Sequence, residues 1–304
     1  MQIEYKENYE IKKHTTFKIG GVVDKVWFPK NKDELVYLLK NSKDYILLGN
    51  CSNILFSSKG YSGDVILTTK VNNFEINDTN VVAECGVKGP LLSQKTCDAS
   101  LTGFEFMIGF PGSLGGEIFM NASCHGQCIS DNLIRCCLFD KENHSVIYKD
   151  KSEMEFAYRS SILQKKRFIL LSAEFELKKD LMKDINLRLD KNLAFRRDIQ
   201  PSLVHPNAGS VFKNPDNNSA GRLLDMAGVK EFEFDNVKVW DKHANFIVNK
   251  GEATSEDVLE IMVKMFTVVK EKYQIELQPE VLFIGNKTKK EEELCNILYQ
   301  KTQK

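Results

Sequence analysis

The sequence predicts an α+β fold of more than one module, and three features carry that expectation. The first third alternates extended and helical patterns, a charged helix followed by prolines marks a boundary near residues 180–206, and the region beyond it pairs a long capped helix with an apolar strand.

The elements follow from periodicity. Val22 to Phe28 reads as a strand, and Lys32 to Leu39 as a helix with Leu35, Leu38 and Leu39 on one face. Tyr45-Ile46-Leu47-Leu48 is a fully apolar strand ending at Gly49, with further strands at Val65 to Thr69 and Val81 to Cys85 and a helix from Leu91 to Leu101. Glu117 to Ala122 extends as helix, and strands follow at Cys136 to Asp140, Val146 to Tyr148 and Phe168 to Leu177. The charged helix from Leu181 to Asp198 leads to Pro201 and Pro206. Ser219 caps a helix to about Ala227, and Thr254-Ser255-Glu256-Asp257 has the form of a capping box before a long helix with Val258, Ile261, Met262, Met265, Val268 and Val269 on one stripe. Ile275 to Ile284 reads as a closing strand interrupted by Pro279, and the tail from Asn286 to Lys304 as a solvated helix or frayed end.

The bulk composition narrows the function. Of 304 residues, 42% are apolar and 28% charged, as in soluble globular proteins rather than disordered ones. Lys plus Arg and Asp plus Glu each total 42, so a nucleic acid gains no global attraction, and any phosphate recognition is local. The charged N-terminus does not read as a signal peptide, and no apolar run approaches the ~18 residues of a membrane helix. The eight cysteines lack the paired spacing of a zinc site, so no metal is expected, and reduced thiols in a cytoplasmic protein are the better reading.

Two Gly-rich turns are candidates for phosphate binding. Gly49-Asn50-Cys51-Ser52-Asn53 follows an apolar strand, where backbone N–H groups and the polar side chains can converge on an anion, although taken alone an ordinary strand-to-loop turn is the better explanation, since Gly and Asn punctuate most turns. Gly109-Phe110-Pro111-Gly112-Ser113-Leu114-Gly115-Gly116 is the stronger signal, because it precedes a helix whose exposed amides suit a pyrophosphate. Two such turns suggest a dinucleotide. Three further residues suit reduction of a double bond beside a carboxylate. Arg159 can bind a carboxylate in bidentate fashion, Glu280 after Pro279 can hydrogen-bond an enol, and Ser210, with Lys213 nearby, can protonate a strongly basic carbon. An Arg159–Glu280 ion pair and a serine in a turn are the plain alternatives. His243 reads as a satisfied structural histidine, and His205 is ambiguous.

Taken in order, several stretches resemble the UDP-N-acetylenolpyruvoylglucosamine reductase family. They are Thr16-Phe17-Lys18-Ile19-Gly20-Gly21, the two turns above, Met120-Asn121-Ala122, Tyr158-Arg159-Ser160-Ser161, Ala208 to Pro215, Lys242 to Asn249, and Pro279-Glu280-Val281, spanning about residues 11 to 285. The resemblance implies a vanillyl-alcohol-oxidase-type (PCMH-type) FAD-binding fold of two subdomains, 1–72 and 73–185, then a C-terminal α+β substrate domain, 195–285, and a charged tail, 286–304. It implies FAD as cofactor, contacted by Gly49, Asn50, Cys51, Ser52, Asn53, Gly109, Pro111, Gly112, Ser113, Gly115, Gly116 and Asn121. It also implies NADPH as hydride donor, catalysis by Arg159, Ser210 and Glu280, and substrate contacts at Tyr158, Lys213 and Asn214. The implied reaction reduces UDP-N-acetylglucosamine enolpyruvate to UDP-N-acetylmuramate in peptidoglycan precursor synthesis, by a cytoplasmic monomer of the shorter subtype, with neither nucleic acid nor membrane as partner. Cys51, Ser123 and Asn245 stand where the family usually has glycine. At Cys51 a positive φ costs about 1 kcal/mol or more, whereas Asn245 tolerates the left-handed conformation.

Overall fold

The computed structural model describes residues 2–202 and 204–299, and the chain divides into two compact units. The first gathers the N-terminal stretch through Lys6, Val26–Asn50 and Asp64–Arg196; the second gathers Glu7–Lys25, Cys51–Gly63 and the chain from Arg197 onward.

In the first unit an antiparallel five-stranded sheet runs in the order Ser145–Asp150, Leu133–Asp140, Phe168–Glu176, Asn80–Glu84 and Phe74–Asn77. The central strand, Phe168–Glu176, is buried over most of its length, which explains its apolar residues on both faces. A parallel pair sets Tyr45 opposite Asp64 and Leu48 opposite Leu67, so that the apolar strand ends at Gly49. The helix Lys32–Asn41 is capped by the Asn31 side chain, which accepts from the Glu34 N–H, and buries Leu35, Leu38 and Leu39 as its spacing predicts.

In the second unit the hairpin Val237–Trp240/His243–Asn249, the helix Ala220–Met226 and the long helix Ser255–Tyr273 share one apolar core. Ser219 and the Thr254–Asp257 box cap the two helices as expected. Only Leu282–Ile284 of the expected closing strand is regular, and it pairs parallel with Ile54–Phe56. Pro279 lacks a donor N–H, and it makes an isolated antiparallel bridge to Phe212 instead of extending a ladder. Among the described residues no helix is long and apolar enough to cross a membrane, no metal-holding cluster of side chains occurs, and the eight cysteines are free thiols.

The charged tail departs from the expectation of a solvated or frayed end; its residues 300–304 lie outside those described. Lys289–Leu298 is a helix that buries Glu291, Cys295 and Leu298. Glu291 is 0% exposed. Its carboxylate accepts from Ser57 Oγ at 3.1 and 3.0 Å, from Ser255 Oγ, and from the Thr288 N–H at 2.7 Å. Charge on the sequence looked like solvation, but this carboxylate is spent on buried donors from three segments.

Removing that acceptor leaves the buried Ser57 hydroxyl without it, while Ser255 Oγ keeps a bond to Ser58 Oγ at 3.1 Å. Glu291→Ala is expected to lower unfolding stability by about 3 kcal/mol, measured by denaturant titration. A change inside measurement error would mean that the helix is held by its apolar face alone.

Candidate functional site

In the first unit the two Gly-rich stretches meet. A Cβ on Gly49 would lie 2.1 Å from Ser113 Oγ, so only glycine lets the loop approach the strand end. The Asn50 N–H reaches Ser113 Oγ at 3.4 Å, and its side-chain amide donates to the Pro111 carbonyl. Two turns sixty residues apart are thereby joined at their tips, as a grip on one diphosphate requires. The helix start is a less open anion seat than the sequence suggests. The helix Leu114–Phe119 is short, and the Leu114 and Gly115 N–H groups already donate at 2.8 Å to the carbonyls of Val87 and Cys85. The N–H groups of Phe110, Leu114 and Gly115 are therefore already committed to carbonyls of the first unit.

The sequence reading missed Arg196, which lay in a helix read only as a boundary. Its Cδ lies 2.3 Å from where a Gly109 Cβ would sit, and its guanidinium is 5.1 Å from the Phe110 ring. Among the described residues no carboxylate pairs with it, and burial pulls its pKa down. A largely buried guanidinium on a Gly-rich loop, lacking a carboxylate, suits an anionic group. With the bare Cα at Gly49, it makes the residues present fit the diphosphate of a flavin dinucleotide.

In the second unit Cys51 adopts φ 53°, the left-handed conformation that favours glycine, and its side chain is 5% exposed. Burial pushes its thiol up to about 12, so it is a neutral packing group and not a nucleophile. Its carbonyl accepts from the Thr16 N–H and Oγ1, both at 3.4 Å. Asn53 turns inward: its amide donates to the Glu280 carbonyl at 3.1 Å, and its own carbonyl accepts from the Leu282 N–H at 3.0 Å.

The same unit brings Ser210 and Glu280 onto neighbouring backbones. The Glu280 N–H donates to the Val211 carbonyl and the Lys213 N–H to the Gln278 carbonyl, both at 2.8 Å. Gly209, at φ 75°, supplies the turn that begins this stretch. Asn245 behaves differently from the expectation: it is no left-handed residue but lies within the strand His243–Asn249, 3% exposed. Its side-chain oxygen accepts from the Phe212 N–H at 3.0 Å, and its amide donates to the Phe212 carbonyl at 2.8 Å. Asn214 accepts from the Ala220 N–H at 3.0 Å, which commits its oxygen to the start of the next helix. The Lys213 ammonium has no ion pair among the described residues. His243 is structural in its geometry, with Nδ1 accepting from the Asn245 N–H at 3.2 Å and its ring against Phe246.

Arg159, in the first unit, also has φ 53°. The turn that carries it is closed by reciprocal backbone bonds between Ala157 and Ser160, both 3.1 Å. Asn121 donates to the Ala157 carbonyl at 3.1 Å, and Gln164 donates to the Arg159 carbonyl at 2.9 Å. The guanidinium lies 5.1 Å from the ring of Tyr158, which is half exposed, and Nη1 donates to Ser123 Oγ at 2.8 Å. Asn121 thus serves the arginine turn with the amide that the sequence assigns to the cofactor.

Glu117 is the second group the sequence reading passed over. It follows the Gly-rich loop, is 4% exposed, and neither carboxyl oxygen has a hydrogen-bond partner among the described residues. Oε1 lies 2.2 Å from the position of a Gly89 Cβ and 3.1 Å from that of Gly112. Burial raises its pKa from the usual 4.5 to about 8. The folded protein therefore holds a proton that the unfolded chain releases, and stability falls as pH rises from 4.5 to about 8. Glu117→Gln, which cannot ionise, is expected to match the parent near pH 4.5 and to exceed its Tm by roughly 5 °C at pH 8.5. Parallel Tm-against-pH curves for the two proteins would show that Glu117 does not titrate in the fold.

Known proteins resemble this chain along nearly its whole length. A family described as "FAD binding domain" matches residues 23–142, and one described as "UDP-N-acetylenolpyruvoylglucosamine reductase, C-terminal domain" matches residues 200–284. The UDP-N-acetylenolpyruvoylglucosamine reductase of Caldicellulosiruptor bescii is 40% identical over 288 residues, covering 93% of this chain and 91% of that protein. The enzyme of the same name from Bacillus pumilus is 36% identical, covering 92% and 93%. The crystal structure of UDP-N-acetylenolpyruvylglucosamine reductase from Thermus caldophilus superposes with a TM-score of 0.80 at 30% identity, covering 93% of this chain and 99% of that one. With likeness of this extent along nearly its whole length, the chain belongs to the UDP-N-acetylenolpyruvoylglucosamine reductase family.

Proposed function

We propose that this chain uses NADPH to reduce the enolpyruvyl ether of UDP-N-acetylglucosamine to UDP-N-acetylmuramate, a step in making peptidoglycan precursors, with FAD as its cofactor. Beyond family membership, the observation that carries the reading is the pairing of the Glu280 N–H with the Val211 carbonyl, which sets a carboxyl and a hydroxyl on adjacent backbones. When bound, FAD would supply the hydride chemistry that links NADPH to C3 of the enolpyruvyl group.

The protein's own groups handle the charge that results. Arg159 binds the substrate carboxylate, where its planar guanidinium can make two parallel hydrogen bonds. Glu280 hydrogen-bonds the enol form of that carboxylate. Ser210 Oγ delivers a proton to C2, which is feasible for so weak an acid because the carbon beside it is transiently very basic. The Lys213 ammonium eases the negative charge left on that oxygen, and Tyr158 and Asn214 line the substrate. For the cofactor, we assign Gly49, Asn50, the loop residues 109–113 and Gly116 to the diphosphate, with Arg196 as its counter-charge. We assign residues 1–72 and 73–185 to the flavin and 195–285 to the substrate. One chain supplies every group named, which supports action as a monomer, and NADPH and UDP-sugars are cytosolic reagents, which supports a cytoplasmic place.

The test is NADPH oxidation by FAD-supplied protein with and without UDP-N-acetylglucosamine enolpyruvate. Oxidation should require the substrate, and Ser210→Ala should lower turnover by about 100-fold or more with FAD still bound. Oxidation independent of the substrate, or none, would overturn the reading. Arg196→Met should weaken FAD binding by about tenfold or more, read by flavin fluorescence; unchanged affinity would remove Arg196 from the seat.

A further inference from the structure

The buried carboxyl of Glu117 and the loop assigned to the diphosphate share one stretch of backbone. Glu117 lies in the helix Leu114–Phe119, and its N–H donates to the Ser113 carbonyl at 2.9 Å. Its side chain returns to the space left open by two glycines. Oε1 stands 2.2 Å from the Cβ position of Gly89 and 3.1 Å from that of Gly112, with Cγ 3.3 Å from the latter. The two glycine backbones are themselves joined, the Gly89 N–H donating to the Gly112 carbonyl at 3.3 Å. The carboxyl is thus lodged against the loop at Gly112, and among the described residues neither of its oxygens has a hydrogen-bond partner.

The elements packed around this helix bring no counter-ion to it. On the strand Asn80–Glu84, Glu84 accepts from the Asn73 N–H at 3.0 Å, and the Cys85 thiol that follows is neutral, burial pushing it up to about 12. On the strand Phe168–Glu176, Glu174 pairs with Arg135 and Glu176 accepts from Thr79. Lys165, at the end of the short turn Ile162–Lys165, pairs with Glu155. Lys88, at the head of the helix Gly89–Asp98, is exposed, and Lys95 and Asp98 pair with each other at its far end. On the Gly-rich loop itself the neighbouring cation is Arg196, which lies at Gly109. None of these groups shifts the titration of Glu117, whose cause is burial alone.

An ionised carboxyl in so dry a place is screened little by salt and repels a neighbouring anion. We infer that the diphosphate seat requires Glu117 in its neutral form, so that FAD and a proton on this carboxyl are held together and ionisation of Glu117 expels the cofactor. The inference rests on the assignment of the loop 109–113 to the diphosphate. Linkage fixes the sign. A bound anion raises the pKa of the carboxyl further, so full affinity is kept below about 8 and is lost as pH rises past it.

The test is the FAD Kd against pH. Enzyme loaded with FAD is diluted to equilibrium at steps from about pH 6.5 to about pH 9.5, and released flavin is read by its fluorescence. Far-UV circular dichroism is recorded on the same samples. The parent Kd should rise about tenfold across this range with its circular dichroism unchanged. Glu117→Gln and Glu117→Leu, which cannot ionise, should stay flat to within about twofold. Glu117→Leu keeps the test open should the amide variant fold badly, because it removes both polar atoms from the buried space. The inference is overturned by a parent Kd that does not move with pH, or by variants that follow the parent slope. It is overturned equally by circular dichroism lost together with the flavin, since that release would be alkaline unfolding. A parent that retains no FAD even at about pH 6.5 would instead remove the flavin seat itself, and this inference with it.

Discussion

The backbone pairing of residues 210–213 with 278–280 is the constraint on which the chemistry of the second unit depends. It consists of two ordinary N–H to carbonyl bonds, from Glu280 to Val211 and from Lys213 to Gln278. They are buttressed on both sides. Asn53 donates to the Glu280 carbonyl, and Asn245 binds both the N–H and the carbonyl of Phe212. The stretches that bear the Ser210 hydroxyl and the Glu280 carboxyl are thus held together by main-chain bonds, whose geometry varies far less than that of flexible side chains. The Asn53 link ties that residue to the segment just ahead of the strand Leu282–Ile284.

The three glycine replacements found in the sequence have three physical outcomes. Cys51 keeps the left-handed conformation and is strained by it, with a buried neutral thiol as partial compensation. Asn245 abandons that conformation and fills the space with a side chain that imitates a neighbouring strand. Ser123 sits in unstrained backbone and gains a bond to Arg159. Loss of a glycine is therefore not one kind of event. Its effect follows from whether the backbone needed positive φ, or only lacked a side chain to bond.

Buried carboxyls divide in the same way. Glu291 is surrounded by donors, and its burial ties the C-terminal helix to the segment after Phe56 and to the start of the long helix. Glu117, equally enclosed, has no donor, and burial alone determines that it holds its proton. Sequence composition counts both as surface charge.

Much of the fold is legible in the sequence because local rules act locally. The spacing of Leu35, Leu38 and Leu39, the caps at Ser219 and Thr254, and the apolar run ending at Gly49 act over a few residues and predict elements the structure contains. The stretches bearing Arg159, Ser210 and Glu280 are legible for another reason, their resemblance, in order along the chain, to one family. What the tertiary structure alone decided is which distant groups share a hydrogen bond. Nothing within a few residues of Ser123 indicates that its hydroxyl meets Arg159, of Arg196 that it lies on Gly109, or of Glu291 that it accepts from Ser57, 234 residues away. A hydrogen bond depends on separation in space to within tenths of an ångström, and separation along the chain carries no such information until the fold exists.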